Sequence, residues 1–400
     1  MEWEHRIERC INVYETQFEI DGNWTTVDNG NTLLQQLSKD TNSTIIKVGE
    51  SELGKDIIGL KIGNGINKTL VTSGVHGVEP ASREAVLIKM RDICLNENGL
   101  YSNFLNNHTI LIIPTINPDQ MFKTYRNSKN IDINRVSFYL DSTEGLSFLR
   151  VIRDFKPDAF FDFHEHSGKA DIDVRFVYPM SLDPNTDKVL QKTQENAINY
   201  SRDYFKTIGV SSDYYYKGNT GFGSLTCVAS LLGIPCYTSE TCVYNPKNDR
   251  VNMQKTSVDK ALEWHSLNAE SIKNMKIEFN NNMLDSEDEF TLLNGMKPGA
   301  EMYTQAQKVP IKLPLRYKVE NIDDFKDFID IYNIDVVNNN EIPIKQNAGR
   351  LLPYLLDPKS DLRKIDTSRI EVPILNYDKF RTTKVLQDEW KEIEIDFYLK

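Results

Sequence analysis

Long apolar runs are missing from this sequence: no stretch approaches the roughly 20 consecutive apolar residues that a helix needs to cross a bilayer. The amino-terminal MEWEHRIERC mixes charges and holds no apolar core of signal-peptide length, so the expected location is cytoplasmic, with no membrane partner. Cysteine is scarce too. Its five occurrences (Cys10, Cys94, Cys227, Cys236, Cys242) are odd in number, scattered and without a C-x-x-C pair, which points to reduced thiols rather than a disulfide framework or a cysteine zinc site. Positive charge is in deficit. With 47 Lys and Arg against 58 Asp and Glu, the net charge is −11, which argues against nucleic acid as a partner because phosphate binding relies on clustered cations. An acidic protein can still keep a basic pocket for an anionic substrate. No internal repeat and no long low-complexity linker is present.

What remains is an ordinary globular composition, 40% hydrophobic and 26% charged, in a chain whose 400 residues fit one large α/β unit and a second module. Four short apolar runs share a grammar: TLVTSGV at 69–75, HTILIIPTI at 108–116, DAFFDF at 158–163 and IPCYTS at 234–239. Each is rich in β-branched or aromatic residues and bounded by Gly, Pro or Asn, so each is expected to be a buried strand. Helical patterns lie between them, including PASREAVLIKMRDICL, with Pro80 at a first helical position, and LQKTQENAINYSRDYFKTI. Strands alternating with helices predict an α/β fold with a largely parallel sheet, whose ligands gather at the carboxyl ends of the strands. Beyond about residue 275, Asn runs and Pro-punctuated segments replace this rhythm. Residues 1–275 are therefore expected to form one domain and 276–400 a smaller β-rich or mixed module.

Each strand runs into polar residues: HGVEP, NPD, HEHSG and ETCVYNP. A hydrolytic zinc site needs three protein ligands and an open position for water, with His nitrogen and carboxylate oxygen as common donors. Of the six histidines, His5, His108 and His265 lie in a charged terminus, at a strand start and in a helical stretch, where surface or structural roles are expected. His76, His164 and His166 instead follow strands at one sheet edge, and His76 and Glu79 with His164 would supply a His₂-carboxylate set. His164 and His166 are two apart and share a face of a continuing strand, either as a His-x-His pair or as a ligand and a pocket residue. Hydrolysis also needs a base for the water, for which Glu240 at the end of a separate strand is the candidate; strand alternation turns its competitor Glu165 away from His164. Cations for an oxyanion and an anionic substrate group are available in NPDQMFKTYRNSKNIDINR as Arg126 and Arg135.

Taken in order, these pieces resemble the zinc carboxypeptidase superfamily, which includes carboxypeptidase A-like peptidases and the aspartoacylase and succinylglutamate desuccinylase branch. The resemblance covers roughly residues 35–270: a lead-in VGESELGKDIIGLKIGNG, H-x-x-E at His76–Glu79, N-P-D at Asn117–Asp119, Arg126, D-x-N-R at Asp132–Arg135, D-x-H at Asp162–His164 and Glu240. It implies one Zn²⁺ per chain on His76, Glu79 and His164, with Glu240 as general base and then proton donor to the leaving amine. Arg126 would stabilise the oxyanion, Asn134 and Arg135 would hold a substrate carboxylate, and Asp132 would orient the first zinc-bound His. The implied activity is hydrolysis of an amide bond next to a free carboxylate, foremost by a metallocarboxypeptidase acting on peptides. The alternatives are an N-acyl amino acid deacylase and, further off, a non-catalytic binding module on the same fold.

Departures from the family pattern are informative. Gln120 stands where Gly is common after N-P-D, and only 84 residues separate Glu79 from His164, which implies trimmed pocket loops. The mobile tyrosine of the carboxypeptidases has three candidates in Tyr214, Tyr215 and Tyr216, of which Tyr216 is the expected one. Leu225, following Gly223–Ser224, matches the residue that helps select the substrate side chain, and an apolar residue there disfavours charged terminal side chains.

Overall fold

The protein is described from a computed structural model over residues 14–136, 140, 142–168, 170–177, 185–215, 224–294, 307–360 and 382–385. Its centre is an eight-stranded mixed sheet in the order β1-β2-β4-β3-β5-β8-β6-β7. The strands are β1 (Ser43–Glu50), β2 (Asp56–Ile62), β3 (Asn67–Ser73), β4 (His108–Ile113), β5 (Ala159–His166), β6 (Val174–Val177), β7 (Ser212–Tyr215) and β8 (Cys236–Cys242). The four runs singled out in the sequence are β3, β4, β5 and β8, and these four are mutually parallel. Their near-continuous burial follows from coverage on both faces, which is why they read as apolar runs rather than as alternations.

Side chains alternate between two cores. Leu70, Leu111, Ile113, Phe160 and Cys236 point to one face, and Val71, Ile110, Ile112, Phe161, Phe163 and Tyr237 to the other. Helices α1 (Val27–Asp40), α2 (Pro80–Leu95), α4 (Lys188–Thr207) and α6 (Lys247–Asn281) bury residues against the second face. Helices α3 (Thr143–Phe155) and α5 (Leu225–Leu231) cover the first.

The carboxyl-terminal region is β-rich, as its composition suggested: an antiparallel pair of β9 (Glu289–Asn294) with β10 (Gln307–Lys312), and a three-stranded sheet in which β11 (Arg316–Val319) lies between β12 (Glu341–Pro343) and β13 (Thr382–Val385). Residue 275, where the sequence placed the boundary, lies inside α6. Phe290, Leu292, Tyr317 and Leu351 join the same core cluster as Phe148 and Leu225, so this region caps the α3–α5 layer. Arg350 fastens the join, donating to Asp187 Oδ2 (3.0 Å) and to the carbonyls of Asn185 (2.6 Å) and Asn282 (2.9 Å). No described helix is long and apolar enough to cross a membrane.

Candidate metal centre and active site

The carboxyl ends of β3, β5 and β8 carry the site. After β3 the chain turns through Gly74, whose positive φ of 65° suits glycine, and delivers His76 and Glu79 ahead of α2. Gly77 is needed for a different reason: a Cβ there would lie 1.9 Å from the Gln120 carbonyl oxygen. That close approach lets the 120–127 loop dock on the metal loop, through Gly77 N–H to Thr124 O (2.9 Å) and Phe122 N–H to Gly77 O (2.6 Å). Asn117 completes the docking by donating its Nδ2 to the carbonyls of Val75 (3.2 Å) and Arg126 (3.1 Å). Asp119 reaches the β1–β2 turn, accepting from Ser51 Oγ (2.9 Å) and Leu53 N–H (3.0 Å). The N-P-D motif is thus a brace between two loops and the lead-in hairpin.

His76, Glu79 and His164 come together, buried, with one possible ligand atom from each lying within 4.8 Å of the others. His76 Nδ1 faces Glu79 Oε1 at 2.8 Å, and His164 Nδ1 faces Glu79 Oε2 at 2.7 Å. The opposite nitrogens are held by carboxylates: His76 Nε2 by Asp132 Oδ1 (3.2 Å) and His164 Nε2 by Asp162 Oδ2 (2.7 Å). Asp162 is itself fixed by the Thr72 hydroxyl at 2.6 Å. Two imidazole nitrogens converging with one carboxylate, each ring steered by a second carboxylate, is a donor set that fits zinc and leaves room for water.

The electrostatics agree. Burial opposes charge on all these groups, but the Glu79 and Asp132 carboxylates hold the His76 pKa up at about 9, and Asp162 and Glu79 hold His164 well above its ordinary value. Against the same penalty, the two histidines draw Glu79 down to about 2, and His76 with Arg135 holds Asp132 well below the usual carboxylate range.

Glu240 sits directly beside His164 in the β5–β8 register, on the same face. Burial pushes its pKa up to about 7, with His164 pulling down and Glu79 pushing up. Among the described residues it has no hydrogen-bond or ion-pair partner, and part of it remains exposed. Glu165, one residue past His164, points to the other face as alternation requires. It accepts from Ala81 N–H (2.8 Å) at the start of α2 and pairs with Arg250 (2.6 Å), so it caps a helix whose own N-cap, Glu79, is turned to the histidines.

The D-x-N-R segment lies alongside. Asn134 N–H bonds Asp132 Oδ1 (3.0 Å), and Asn134 Oδ1 accepts from Leu225 N–H (3.0 Å) at the first turn of α5. Arg135 is half-buried and donates to the Asn134 carbonyl (2.8 Å), while the Arg126 guanidinium has no ion pair among the described residues. Leu225 is placed by a helix cap. Ser224 caps α5 by accepting from Cys227 N–H (3.1 Å), which turns the Leu225 side chain fully into the core, so this residue meets the site through its backbone. Tyr216 and Gly223 fall outside the described residues, as does His5, and of Tyr214 and Tyr215 only the β7 backbone is described.

Two side chains near the site were not anticipated, and a third was named only within a motif. Arg175 on β6 stands opposite Glu240 in the antiparallel β6–β8 register, close enough to favour its charged form. Tyr125 presents its ring edge to His76, 5.4 Å between centroids. Asp162 was visible as part of a motif, and the period-2 rule that aligned His164 with His166 also aligns it with Asp162. His166 does share the face, but it lies outside the His76–Glu79–His164 cluster: its Nδ1 accepts from Gly168 N–H (3.3 Å), and burial and Arg175 push its pKa down to about 4.

Comparison with known proteins bears on the sequence family and the fold. Residues 31–217 fit the family model described as zinc carboxypeptidase, a match that ends before Glu240. Among solved structures, a metallo-carboxypeptidase from Burkholderia cenocepacia superposes with a TM-score of 0.51 at 14% identity, covering 61% of this chain and 69% of that one. Carboxypeptidase A from Helicoverpa armigera gives 0.50 at 15%, covering 62% and 75%. At these identities the likeness is one of fold. In sequence, Carboxypeptidase 2 of Trichophyton rubrum is 31% identical over 99 residues, 24% of this chain and 18% of that protein, so the chain spans under a fifth of the length of the curated relatives it matches. Over residues 31–217, just under half of the chain, the sequence is similar to the family described as zinc carboxypeptidase.

Proposed function

We propose that the chain is a zinc-dependent metallocarboxypeptidase that removes carboxyl-terminal residues from peptides. The observation that carries this reading is the adjacency of an unpaired, pKa-raised Glu240 to a His76–Glu79–His164 donor set. Zinc on those three residues would supply a Lewis acid for the scissile carbonyl and lower the pKa of a water. Glu240, poised near neutrality, takes a proton from the attacking water as its oxygen bonds to the carbonyl carbon. It then gives that proton to the amide nitrogen as the C–N bond breaks. Arg126, without a competing anion, faces the charge that develops on the carbonyl oxygen. Asn134 and Arg135 hold the terminal carboxylate, and Asp132 and Asp162 keep the two imidazoles aimed.

The test offers the purified protein, with and without a chelator, a pool of free-carboxylate peptides, their amidated twins and N-acyl amino acids, followed by mass. Chelator-sensitive loss of single residues from the free peptides alone is the expected result. Cleavage of only the acyl amino acids would move the protein to the deacylase branch. Glu240→Gln is expected to keep its zinc and lose about 10²–10⁴ in kcat; full activity in that variant would remove Glu240 from its role.

A further inference from the structure

Two exposed tyrosines converge on one residue at the mouth of this site. Tyr125, 45% exposed, lies edge-on to His76 and carries its hydroxyl toward the Ser167 side chain. Tyr244, 64% exposed, comes from the loop after β8 and donates its hydroxyl to the Ser167 carbonyl at 3.4 Å. Scattered exposed aromatics are ordinary, but two rings from separate loops bracketing one residue beside a metal centre are not scattered.

Both are carried on pinned backbone. The loop of Tyr125 is bonded to the metal loop through Gly77 and Asn117. The loop of Tyr244 is bonded to the end of β5 by Val243 N–H to His166 O (3.0 Å), and Asn245 Nδ2 reaches Asp173 Oδ1 (2.8 Å). Rings held this way offer large flat contact area with little entropy left to lose on binding.

Their place relative to the carboxylate clamp gives them a direction. Asn134 is tied to α5, on one face of the sheet, whereas Tyr244 leads into α6 on the other. On the proposed function, a peptide whose terminal carboxylate sat at Asn134 and Arg135 would pass His76 and His164 and continue toward Ser167.

We propose that Tyr125 and Tyr244 form a binding subsite for the substrate residue on the amino-terminal side of the scissile bond, taking a flat aromatic or apolar side chain. This rests on the carboxypeptidase reading. Glu79, Glu165 and Glu240 lie near enough to oppose a negative charge on the Tyr125 hydroxyl, so the neutral ring faces are the recognition surface.

The experiment uses the zinc-loaded full chain and two peptides with one terminal residue, differing only in Phe or Gly before it. Wild type is expected to favour the Phe peptide in kcat/KM. Tyr244→Ala and Tyr125→Ala are each expected to cut that preference by about 3- to 10-fold, the range of one aromatic pair contact, chiefly through KM. Tyr→Phe at either position is expected to keep most of it. Tyr244 touches no metal-ligating residue, so its variant stays informative even if Tyr125→Ala disturbs His76; zinc content and melting temperature are measured on both. A preference unchanged in Tyr244→Ala, or a wild type indifferent to the penultimate residue, overturns the subsite. Wild type inactive on both peptides overturns the carboxypeptidase reading and the subsite with it.

Discussion

Two pairs of histidines face each other in this molecule with nearly the same geometry and opposite chemistry. His76 and His164 meet edge to face with centroids 4.8 Å apart, and so do His108 and His265. All four are buried. The first pair stands at the carboxyl ends of β3 and β5, with carboxylate oxygen on every ring nitrogen. The second stands near the opposite end of the sheet, where His108 opens β4. Its Nδ1 atoms meet the Phe104 carbonyl and the Thr69 hydroxyl, and both Nε2 atoms lack a hydrogen bond among the described residues. Burial pushes His265 down to about 3, with His108 adding to the effect, and lowers His108 as well, whereas carboxylates lift His76 to about 9 against the same penalty. Burial and ring packing are therefore not what makes a metal site. The anionic partners are.

The sharpest way to break that contrast is to remove one ring from each pair. His164→Ala is expected to lose bound zinc by more than the roughly 10–100-fold that an outer partner contributes, while His265→Gln keeps wild-type zinc content. Metal analysis after equilibrium dialysis reads both; equal loss in the two variants would mean that His265→Gln acts through the fold and the pairs are not distinct.

A milder change tests the partners instead of the rings. Asp162→Asn and Asp132→Asn retain shape and remove charge, and each is expected to weaken zinc binding by about 10–100-fold. Competition against a chelating dye measures this. Wild-type affinity in both would show that the carboxylates do not set ligand strength.

The smallest effect belongs to the uncharged pair. His265 has a folded pKa far below its unfolded value, so the unfolded chain binds a proton first as pH falls below about 6.5, and stability declines with acidity until about pH 3. Between about pH 7.5 and about pH 5.5 the loss from this one group is about 1.4 kcal/mol. Urea unfolding at the two pH values should give a flatter dependence in His265→Gln than in wild type; parallel curves would remove His265 from the acid response.

The comparison also marks how far the sequence could be read. The parallel centre of the sheet was legible because β3, β4, β5 and β8 are buried on both faces and leave continuous apolar runs. The strands β6 and β7 at one side of the sheet, β7 being its edge, are four residues each and leave no such trace. His76, Glu79, His164 and Glu240 were legible because they follow those runs directly, and His108 and His265 were set aside because they do not. Arg175 went unnoticed because its strand is short and its meaning depends on lying opposite Glu240. The burial of the Leu225 side chain was not legible because a helix cap, not its neighbours in sequence, decides which way it turns.

The sequence alone determined the candidate ligand types, their order and their attachment to strand ends, since the apolar runs and polar stops are local properties of the chain. Only the tertiary structure decided which carboxylate steers which imidazole, that Glu165 caps a helix, and that Tyr125 and Tyr244 meet at Ser167. Those outcomes depend on strand register and on loops docked across dozens of residues, and a one-residue slip would turn each side chain to the other face.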